Sequence, residues 1–241
     1  MRRLLSISAM ETKLFLRASH AAFWTFVFPA FLLVLLGSVY GQRSGQIAFL
    51  VPGVFGMVVA STAYYGVGVA IAQYRSSGFL KRLALIPIPT WQYLLGLVLA
   101  RCAIVLAVGV ELLAISAGLF RVGLTADPLT LAVVLIIGIP AFVASGMAMG
   151  MLARSVESAN SMASVLFFSM TFLGGAYYPV SLLPHALQPV AAILPLSYFL
   201  EGLRAAADGL APAAASTDLA VLVGWGALGL VAATKWFKWT T

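Results

Sequence analysis

Two ionisable residues, Arg101 and Glu111, lie inside a long apolar segment and are the first candidates for chemistry at membrane depth. An ionised side chain in lipid is costly, so such residues mark ion or substrate sites by default, or else form structural pairs. They lie ten positions apart, about 15 Å along a helix, which is too far for a direct ion pair within one helix. Two interpretations stay open for each residue. Arg101 either reaches the inner membrane surface or serves a site, and Glu111 either pairs with another helix or is protonated.

Residues for catalysis are sparse in the rest of the chain. Only two histidines occur, His20 beside the first apolar segment and His185 in a proline-rich segment. Ser145 lacks the glycine two places earlier that a nucleophile elbow needs, and neither HExxH nor the phosphate loop GxxxxGK(S/T) is present. The sequence therefore argues against a membrane enzyme and against ATP binding through such a loop. Energy for any transport must come from a partner chain.

Composition defines the class of protein. Hydrophobic residues make up 62% of the 241 residues, against roughly 45–50% in globular proteins, and only 9% are charged. Six apolar segments reach the roughly 20 residues that a helix needs to cross a bilayer. They are residues 22–40, 48–72, 92–119, 129–152, 159–178 and 219–236. We therefore expect an all-α integral membrane protein with six transmembrane helices in one domain, residues 1–241. The single cysteine, Cys102, excludes a disulfide framework, and no metal-ligand cluster is expected.

The net charge of +7 is a topology signal rather than a nucleic-acid signal. With a cytoplasmic N-terminus, ten basic residues fall on the inner side and three on the outer side, in agreement with the positive-inside rule. The inner ten are Arg2, Arg3, Lys13, Arg17, Arg75, Lys81, Arg82, Arg154, Lys235 and Lys238, and the outer three are Arg43, Arg121 and Arg204. We expect both termini in the cytoplasm, a bacterial inner-membrane location, contact with lipid and no nucleic-acid partner.

Two segments on the predicted inner side are not spans. Residues 1–20 form an interfacial helix along the inner leaflet, whose apolar face is predicted at Leu4, Leu5, Ile7, Met10, Leu14 and Phe15. Residues 73–89, QYRSSGFLKRLALIPIP, form a basic loop that predicts a short amphipathic helix ended by Pro87 and Pro89. This loop is either a handle on which a soluble partner pushes or a plain topology loop.

Residues 174–218, between the fifth and sixth apolar segments, are too broken by proline to form a simple span. Pro179, Pro184, Pro189 and Pro195 divide them into apolar runs shorter than a bilayer crossing. We expect a re-entrant hairpin, in which paired short helices dip in from the outer face and return, followed by an outer connector.

Several residues within the spans predict helix contacts or a path. Pro29 should kink the first span where it faces other helices, and Pro52 suits the start of the second. Gly146 and Gly150 have the GxxxG spacing typical of helix–helix contact. Methionine and aromatic residues of the fifth span are either ordinary packing or the lining of a path for a bulky apolar substrate. With Glu111, the candidate path residues are Met162, Phe167, Phe168 and Phe172.

Three sequence elements, in order along the chain, carry a resemblance to a known family. They are FLVPG at residues 49–53, RSSGFLKRLALIPIP at residues 75–89, and GGAYYPVSLLP at residues 174–184 followed by LPLSYFLEGLR at residues 194–204. Together they resemble the membrane subunit of type-2 ABC exporters, the daunorubicin-resistance-like permeases. The resemblance runs over nearly the whole chain.

The resemblance implies roles for individual residues. The second element is similar to the family's coupling segment, which docks in a cleft of the ATP-binding subunit, and its residues here are Arg75, Gly78, Phe79, Leu80, Lys81, Arg82 and Leu83. Ser77 stands where many members carry glutamate, so one polar contact with that subunit is left open. The N-terminal helix is similar to the family's interface helix. The hairpin is similar to the family's gating helices, with gate residues Tyr177, Tyr178, Pro179, Pro184, Glu201 and Arg204.

The expected function is the permease subunit of an ATP-driven exporter for an amphipathic or hydrophobic compound, such as a drug, an antibiotic or a lipid. Two copies, or one copy and a paralogue, would pair with two ATP-binding subunits that hold the ATP and magnesium, while this chain holds no cofactor. Polysaccharide or sodium export by the same architecture is one alternative. A secondary transporter is another, although it needs inverted repeats and several ion-coupling carboxylates, and Glu111 alone lies within a span.

Overall fold

The computed structural model describes residues 2–17, 22–40, 44–78, 90–121 and 126–236. Every regular element within these ranges is helical, and no strand occurs in them. The predicted all-α class is therefore confirmed. Most of the predicted coupling loop, residues 79–89, and His20 lie outside the described residues.

The first half of the chain folds into one separate helix and three longer helical stretches within the described ranges. Helix α1 is Arg2–Arg17. A π-helical segment, π1, at Phe23–Val27 runs directly into α2, Phe28–Tyr40. The next helix is continuous through α3 (Ser44–Ser61), a second π-helical segment, π2 (Thr62–Val69), and α4 (Ala70–Ser76). Helix α5 is Thr90–Leu119.

The second half contains long helices on either side of a broken segment. Helix α6 is Pro128–Leu152 and α7 is Val156–Leu173. A short 3-10 turn at Val180–Leu182 precedes α8, Gln188–Ala191, and α9, Pro195–Ala207. A further 3-10 turn at Pro212–Ala215 leads into α10, Ser216–Trp236.

Four helical stretches in the described part of the chain are long and apolar enough to cross a membrane: Gly45–Ser76, Leu95–Leu119, Pro128–Leu152 and Pro212–Ala233. The shorter apolar helix Phe23–Val39 corresponds to the predicted first span. Helix α7 occupies most of the predicted fifth span, but its first turns contain Glu157 and Asn160 and it is not one of the four. The chain is thus a multi-pass membrane protein, and the count of six spans stays a prediction.

The continuous helix α3–π2–α4 lies at the centre of the bundle. In its most apolar stretch 83% of the residues are buried, compared with 17% in the C-terminal stretch Pro212–Ala233. Helix α6 packs closely against π2 at Gly146 and Gly150. A Cβ at Gly146 would collide with the carbonyl oxygen of Ala63, and one at Gly150 with that of Gly68, so only glycine allows this approach. The GxxxG spacing therefore marks a close helix contact, as predicted.

The start of α6 is set by a cap. The Asp127 carboxylate accepts hydrogen bonds from Thr130 Oγ1 at 2.6 Å and Thr130 N at 2.7 Å, and Pro128 is the first helical residue. These bonds hold the pKa of the Asp127 carboxyl below its usual range. A charged carboxylate at this position satisfies free amide groups and complements the helix dipole.

Helix α7 ends earlier than the predicted span, residues 159–178. The Ser155 hydroxyl oxygen accepts a hydrogen bond from Ser158 N at 3.1 Å, so the helix already begins at Val156. It ends before Gly174 and Gly175, and the φ of +83° at Gly175 is a left-handed conformation that favours glycine. The last five predicted span residues belong instead to the turn that follows.

The predicted hairpin at residues 174–218 contains two helices of unequal length, four residues in α8 and 13 in α9. Of the two, helix α9 is the one that is buried in the bundle. Leu196, Phe199 and Leu200 are fully buried, and the helix contacts α3, α6, α7 and α10. Helix α9 is thus covered by protein on several sides, as membrane depth requires, whereas most residues from 181 to 193 are exposed.

Pro29 faces other helices as predicted, whereas Pro52 does not begin a helix as predicted. Pro29 is buried among other helices and is the second residue after π1. Pro52 lies inside α3 rather than at its start, because the helix already begins at Ser44. A proline inside a membrane helix is tolerated where neighbouring protein covers the freed carbonyl, and Pro52 is buried.

Helix α1 contacts the bundle through only part of its predicted apolar face. Ile7 and Glu11 are buried, whereas Leu5, Met10 and Leu14 are exposed. Gly96 of α5 admits this close approach, since a Cβ there would meet Ile7 Cγ2 at 2.6 Å. The helix therefore packs on α5 along one strip and leaves much of its predicted apolar face uncovered.

Candidate functional site

Three elements that are distant in sequence meet near the start of α3. Arg204 of α9 donates a hydrogen bond from Nη2 to the carbonyl oxygen of Gly175 at 2.7 Å, and its guanidinium carbon lies 3.7 Å from the centroid of the Phe49 ring. Gly53, one turn after Phe49, lies against the Ala176 carbonyl, with which a Cβ would collide. These five residues are termed the outer junction, after the predicted outer face.

Arg204 holds the outer junction together by two contacts of different kinds. Its Nε has no hydrogen-bond partner among the described residues, and Glu201, one turn earlier, is exposed. Hydrogen bonds to charged groups contribute about 1.5–3 kcal/mol, and cation–π contacts contribute about 0.5–2 kcal/mol. The guanidinium therefore ties α9 both to α3 and to the turn after α7.

A cavity of about 610 Å³ lies beside the outer junction. Its lining residues are Leu36, Gly45, Gln46, Phe49, Leu50, Tyr177, Tyr178, Pro179 and Leu182. This outer cavity thus brings together three of the predicted gate residues: Tyr177, Tyr178 and Pro179. Of the other three, Arg204 lies in the outer junction, whereas Pro184 and Glu201 are exposed.

At the opposite end of the central helix, Arg75 joins α4 to the end of α6. Its Nη1 donates hydrogen bonds to the carbonyl oxygens of Met151 at 2.7 Å, Ala153 at 3.2 Å and Gly150 at 3.3 Å. The last carbonyls of a helix lack partners within that helix, and a cation there is also favoured by the helix dipole. Arg75 is therefore a C-terminal cap of α6.

The other predicted coupling residues come directly after α4 in the sequence. Gly78 has a φ of +66°, the left-handed conformation that commonly ends a helix, and it comes two residues after Ser76, the last residue of α4. Phe79, Leu80, Lys81, Arg82 and Leu83 lie outside the described residues. The predicted loop thus leaves the central helix through a glycine turn.

A second cavity, of about 570 Å³, lies among α1, both π segments, α5 and α7. This inner cavity is lined by Phe15, Trp24, Thr25, Phe28, Pro29, Met57, Ser61, Thr62, Tyr65, Gly66, Val69, Ala70, Gln73, Arg101, Ile104 and Phe167. Helical segments with π geometry are frequent at functional sites, and both such segments of the described chain contribute to this lining.

Of the predicted path residues, Phe167 lines the inner cavity. Phe168 and Phe172 are exposed and stack on each other with ring centroids 6.3 Å apart, while Met162 is half-buried in the same helix. Glu111 lies on α5 and does not line the inner cavity; its Oε2 is buried with no partner among the described residues. The structure does not gather the predicted path residues into one site.

Comparison with known proteins agrees with this arrangement of elements. Residues 2–207 match the ABC-2 type transporter family. The chain belongs to this family. It is 28% identical to the inner membrane transport permease YadH of Escherichia coli (strain K12) over 197 residues, which cover 79% of this chain and 76% of that protein. It is 26% identical to the putative transport permease YvfS of Bacillus subtilis (strain 168) over 209 residues, 81% of each chain.

In this ABC-2 permease, sequence reasoning missed a polar contact between α1 and α5. Tyr93 donates a hydrogen bond from its hydroxyl to Glu11 Oε1 at 2.7 Å, and both residues are buried. Tyr74 of α4 packs edge-on against Tyr93, with ring centroids 6.2 Å apart. A signal was available, because Glu11 lies four residues after Ile7 and therefore on the same helical face. The contact joins the predicted interface helix to both α4 and α5.

Ser145 and His185, which were considered as catalytic candidates, have ordinary structural surroundings in the permease. Ser145 Oγ donates to the carbonyl oxygen of Phe142 at 2.8 Å and lies 3.3 Å from the hydroxyl of Tyr64. His185 is exposed in the turn before α8. No group of three or more histidine, cysteine, aspartate or glutamate residues that could hold a metal occurs in the described ranges.

Replacing Arg75 with alanine should lower the free energy of unfolding of the permease by about 2 kcal/mol, because three carbonyls at the end of α6 lose their charged donor. Lysine should restore only part of this, since it lacks the planar guanidinium. Thermal unfolding in detergent measures the effect. The matched control is Arg154→Ala, an exposed arginine of the next turn, which should change little. Equal midpoints for the two alanine variants would contradict the capping role.

Proposed function

We propose that this ABC-2 permease is the membrane subunit of an ATP-driven exporter for amphipathic or hydrophobic compounds, such as drugs, antibiotics or lipids. It crosses a bacterial inner membrane six times with both termini in the cytoplasm. Two copies, or one copy and a paralogue, pair with two ATP-binding subunits that hold ATP and magnesium. Family membership supports the permease role, and the long apolar helices support a multi-pass location in the membrane.

The observation that carries the proposal is the continuous helix α3–π2–α4. The stretch Gly45–Ser76 has 32 residues, which corresponds to about 48 Å at 1.5 Å per residue. Its first turns hold Phe49 and Gly53 of the outer junction, and its last turn holds Arg75. A displacement of the predicted coupling loop, residues 73–89, would therefore move the outer junction as well, because one continuous packed helix joins the two.

Helix α1 offers a second route for the same displacement. Through the bond between Glu11 and Tyr93 and the packing of Tyr74 on Tyr93, a shift of α1 acts on both α5 and α4. An ATP-binding subunit that contacts α1 and the loop together would bias the central helix from two sides. Such a bias requires contacts that differ between the two states, and closure of the ATP-binding pair supplies that difference.

The two cavities suit the proposed substrate class. Both border the central helix, the outer cavity at the start of α3 and the inner cavity at π2. The inner cavity mixes aromatic rings with hydroxyl and amide groups, which is the composition expected for a ligand with apolar and polar parts. Movement of the central helix would therefore change both cavities together.

Replacing Lys81 and Arg82 together with alanine should reduce co-purification of the ATP-binding subunit about tenfold, a loss of about 1.4 kcal/mol of binding free energy. Permease-stimulated ATP hydrolysis should fall with it, since charges at the edge of an interface steer and orient association. The measurement is co-expression with ATP-binding subunits of the same genome, followed by affinity purification and a phosphate-release assay.

Two variants separate docking from folding in this experiment. Arg75→Ala should lower the unfolding temperature of the isolated permease, whereas the Lys81 and Arg82 double variant should leave it unchanged. Arg121→Gln, on the predicted outer side, should affect neither docking nor hydrolysis. If the double variant retains both co-purification and stimulated hydrolysis, the coupling role of residues 73–89 is wrong.

A further inference from the structure

The inner cavity has one charged residue in its described lining, Arg101 of α5. Ser61, Thr62, Tyr65 and Gln73 contribute hydroxyl and amide groups, and most of the remaining lining is apolar or aromatic. No carboxylate is among the described residues that line it. A ligand in this cavity therefore meets a positive charge that no acidic group of the lining neutralises.

Arg101 uses little of its hydrogen-bonding capacity within the described chain. Its guanidinium carbon lies 4.9 Å from the centroid of the Phe15 ring, and its Nε is buried without a hydrogen-bond partner in the described residues. A guanidinium carries five N–H donors in a planar fork that matches carboxylate and phosphate groups. A half-buried cation without a hydrogen-bonded anion is costly, so an acidic ligand group would be stabilised there.

The nearest alternative is that Arg101 simply balances the charge of Glu11. The Glu11 carboxylate is close enough to act on Arg101 electrostatically. Its hydrogen bond, however, comes from Tyr93 at 2.7 Å, and no ion pair joins Glu11 to Arg101. Glu11 therefore moderates the charge of Arg101 without occupying its donors.

The cavity is also the right size for a ligand. Its volume of about 570 Å³ falls within the roughly 300–1,000 Å³ range of small-molecule sites. Gly66 of π2 lies directly beside the arginine, since a Cβ there would be in van der Waals contact with Arg101 Cδ and Nε at 4.0 Å, and a larger side chain would enter the space around the guanidinium. The aromatic rings of Phe28 and Phe167 lie in the same lining and offer apolar surface for the body of a ligand.

We propose that the inner cavity binds an anionic amphiphile, with its acidic group on Arg101 and its apolar part against the aromatic lining. This inference rests on the proposed transport function and specifies the substrate class, namely a molecule with an apolar body and a carboxylate or phosphate group. A membrane lipid and a soluble acidic compound share this chemistry.

The test is direct binding to the purified permease in zwitterionic nanodiscs, without an ATP-binding subunit. The probes are dansyl-undecanoic acid and its methyl ester, which differ by one negative charge. The acid should bind at least about tenfold more tightly than the ester, a difference of about 1.4 kcal/mol. Arg101→Gln should remove this preference while leaving ester binding unchanged, and Arg101→Lys should retain part of it.

Two further variants keep the test informative if Arg101→Gln folds poorly. Gly66→Leu retains the charge but fills the space beside it, so binding of both probes should fall. Glu11→Gln should preserve or strengthen the preference for the acid, because it removes a nearby negative charge, whereas loss of the preference in this variant would overturn the assignment of the acidic group to Arg101. Equal binding of acid and ester to the unmodified permease would overturn the proposal.

Competition identifies the source of the ligand. Displacement of the acid probe by phosphatidylglycerol added to the nanodiscs indicates a lipid, and displacement only by soluble acids indicates a free compound; both support the site. Because no ATP-binding subunit is present, this result is independent of coupling. A permease that stimulates ATP hydrolysis normally but does not distinguish acid from ester would refute the anion site alone.

Discussion

Replacing Gly146 with alanine will lower the free energy of unfolding of the ABC-2 permease by about 1–3 kcal/mol, the range typical of overpacked cores. The added methyl group would collide with the carbonyl oxygen of Ala63 and lie 2.7 Å from its carbonyl carbon. Both are backbone atoms of the central helix, so no side chain can rotate to make room. Helix α6 must move away from π2, which opens a buried contact between two spans. The midpoint of thermal unfolding in detergent measures the loss.

The matched control is Gly224→Ala in α10, where a Cβ would meet nothing within 4 Å. Alanine is the better helix former by about 1 kcal/mol, so this variant should be as stable as the unmodified permease or more so. Gly150→Ala, against the Gly68 carbonyl, should resemble Gly146→Ala. If Gly146→Ala unfolds at the same temperature as Gly224→Ala, the close contact between α6 and π2 does not exist.

The helices of this protein were largely predictable because lipid leaves the backbone few alternatives. Apolar length alone located the second, third, fourth and sixth spans. The end of α7 was not predictable from length, since it depends on the left-handed turn at Gly175 rather than on hydrophobicity. Likewise Pro52 suggested a helix start, but packing around α3 covers a proline in mid-helix.

Contacts between elements were harder to predict than the elements themselves. Arg75 belonged to an element assigned to docking, yet its guanidinium binds the end of α6. Only the three-dimensional proximity of two helix ends shows this, and no spacing in the sequence encodes it. The burial of Glu11 was partly predictable, because it is an acidic residue on an otherwise apolar helix face. Its partner Tyr93 was not, since it lies 82 residues away.

The elements that carried the family resemblance, apart from the coupling element, are neighbours in space. FLVPG supplies Phe49 and Gly53, GGAYYP supplies Gly175 and Ala176, and LEGLR supplies Arg204. The coupling element begins with Arg75 at the other end of the same central helix. The fold therefore gathers these sequence elements at the two ends of one continuous helix, and the functional roles of their residues stay predictions.

Replacing Arg204 with methionine should lower the free energy of unfolding by about 3 kcal/mol, since it removes a charged hydrogen bond and a cation–π contact together. The apolar stem would remain, but the Gly175 carbonyl would lose its donor. Lysine should rescue little, because it offers no planar fork to stack on Phe49. The first measurement is thermal unfolding of the permease. The second is export of an amphipathic dye, measured in vesicles that contain the permease and its ATP-binding subunit.

A double-mutant cycle with Phe49→Leu then separates the two contacts. If the guanidinium stacks on the ring, the effects of Arg204→Met and Phe49→Leu should be less than additive by about 0.5–2 kcal/mol, because each single change already removes the shared contact. Asp208→Asn, exposed directly after the last residue of the same helix, is the control and should retain stability and export. Strict additivity, with Arg204→Met as stable as the control, would mean that the packing of Gly53 on Ala176 alone holds the outer junction, and that α9 is not anchored to the central helix by charge.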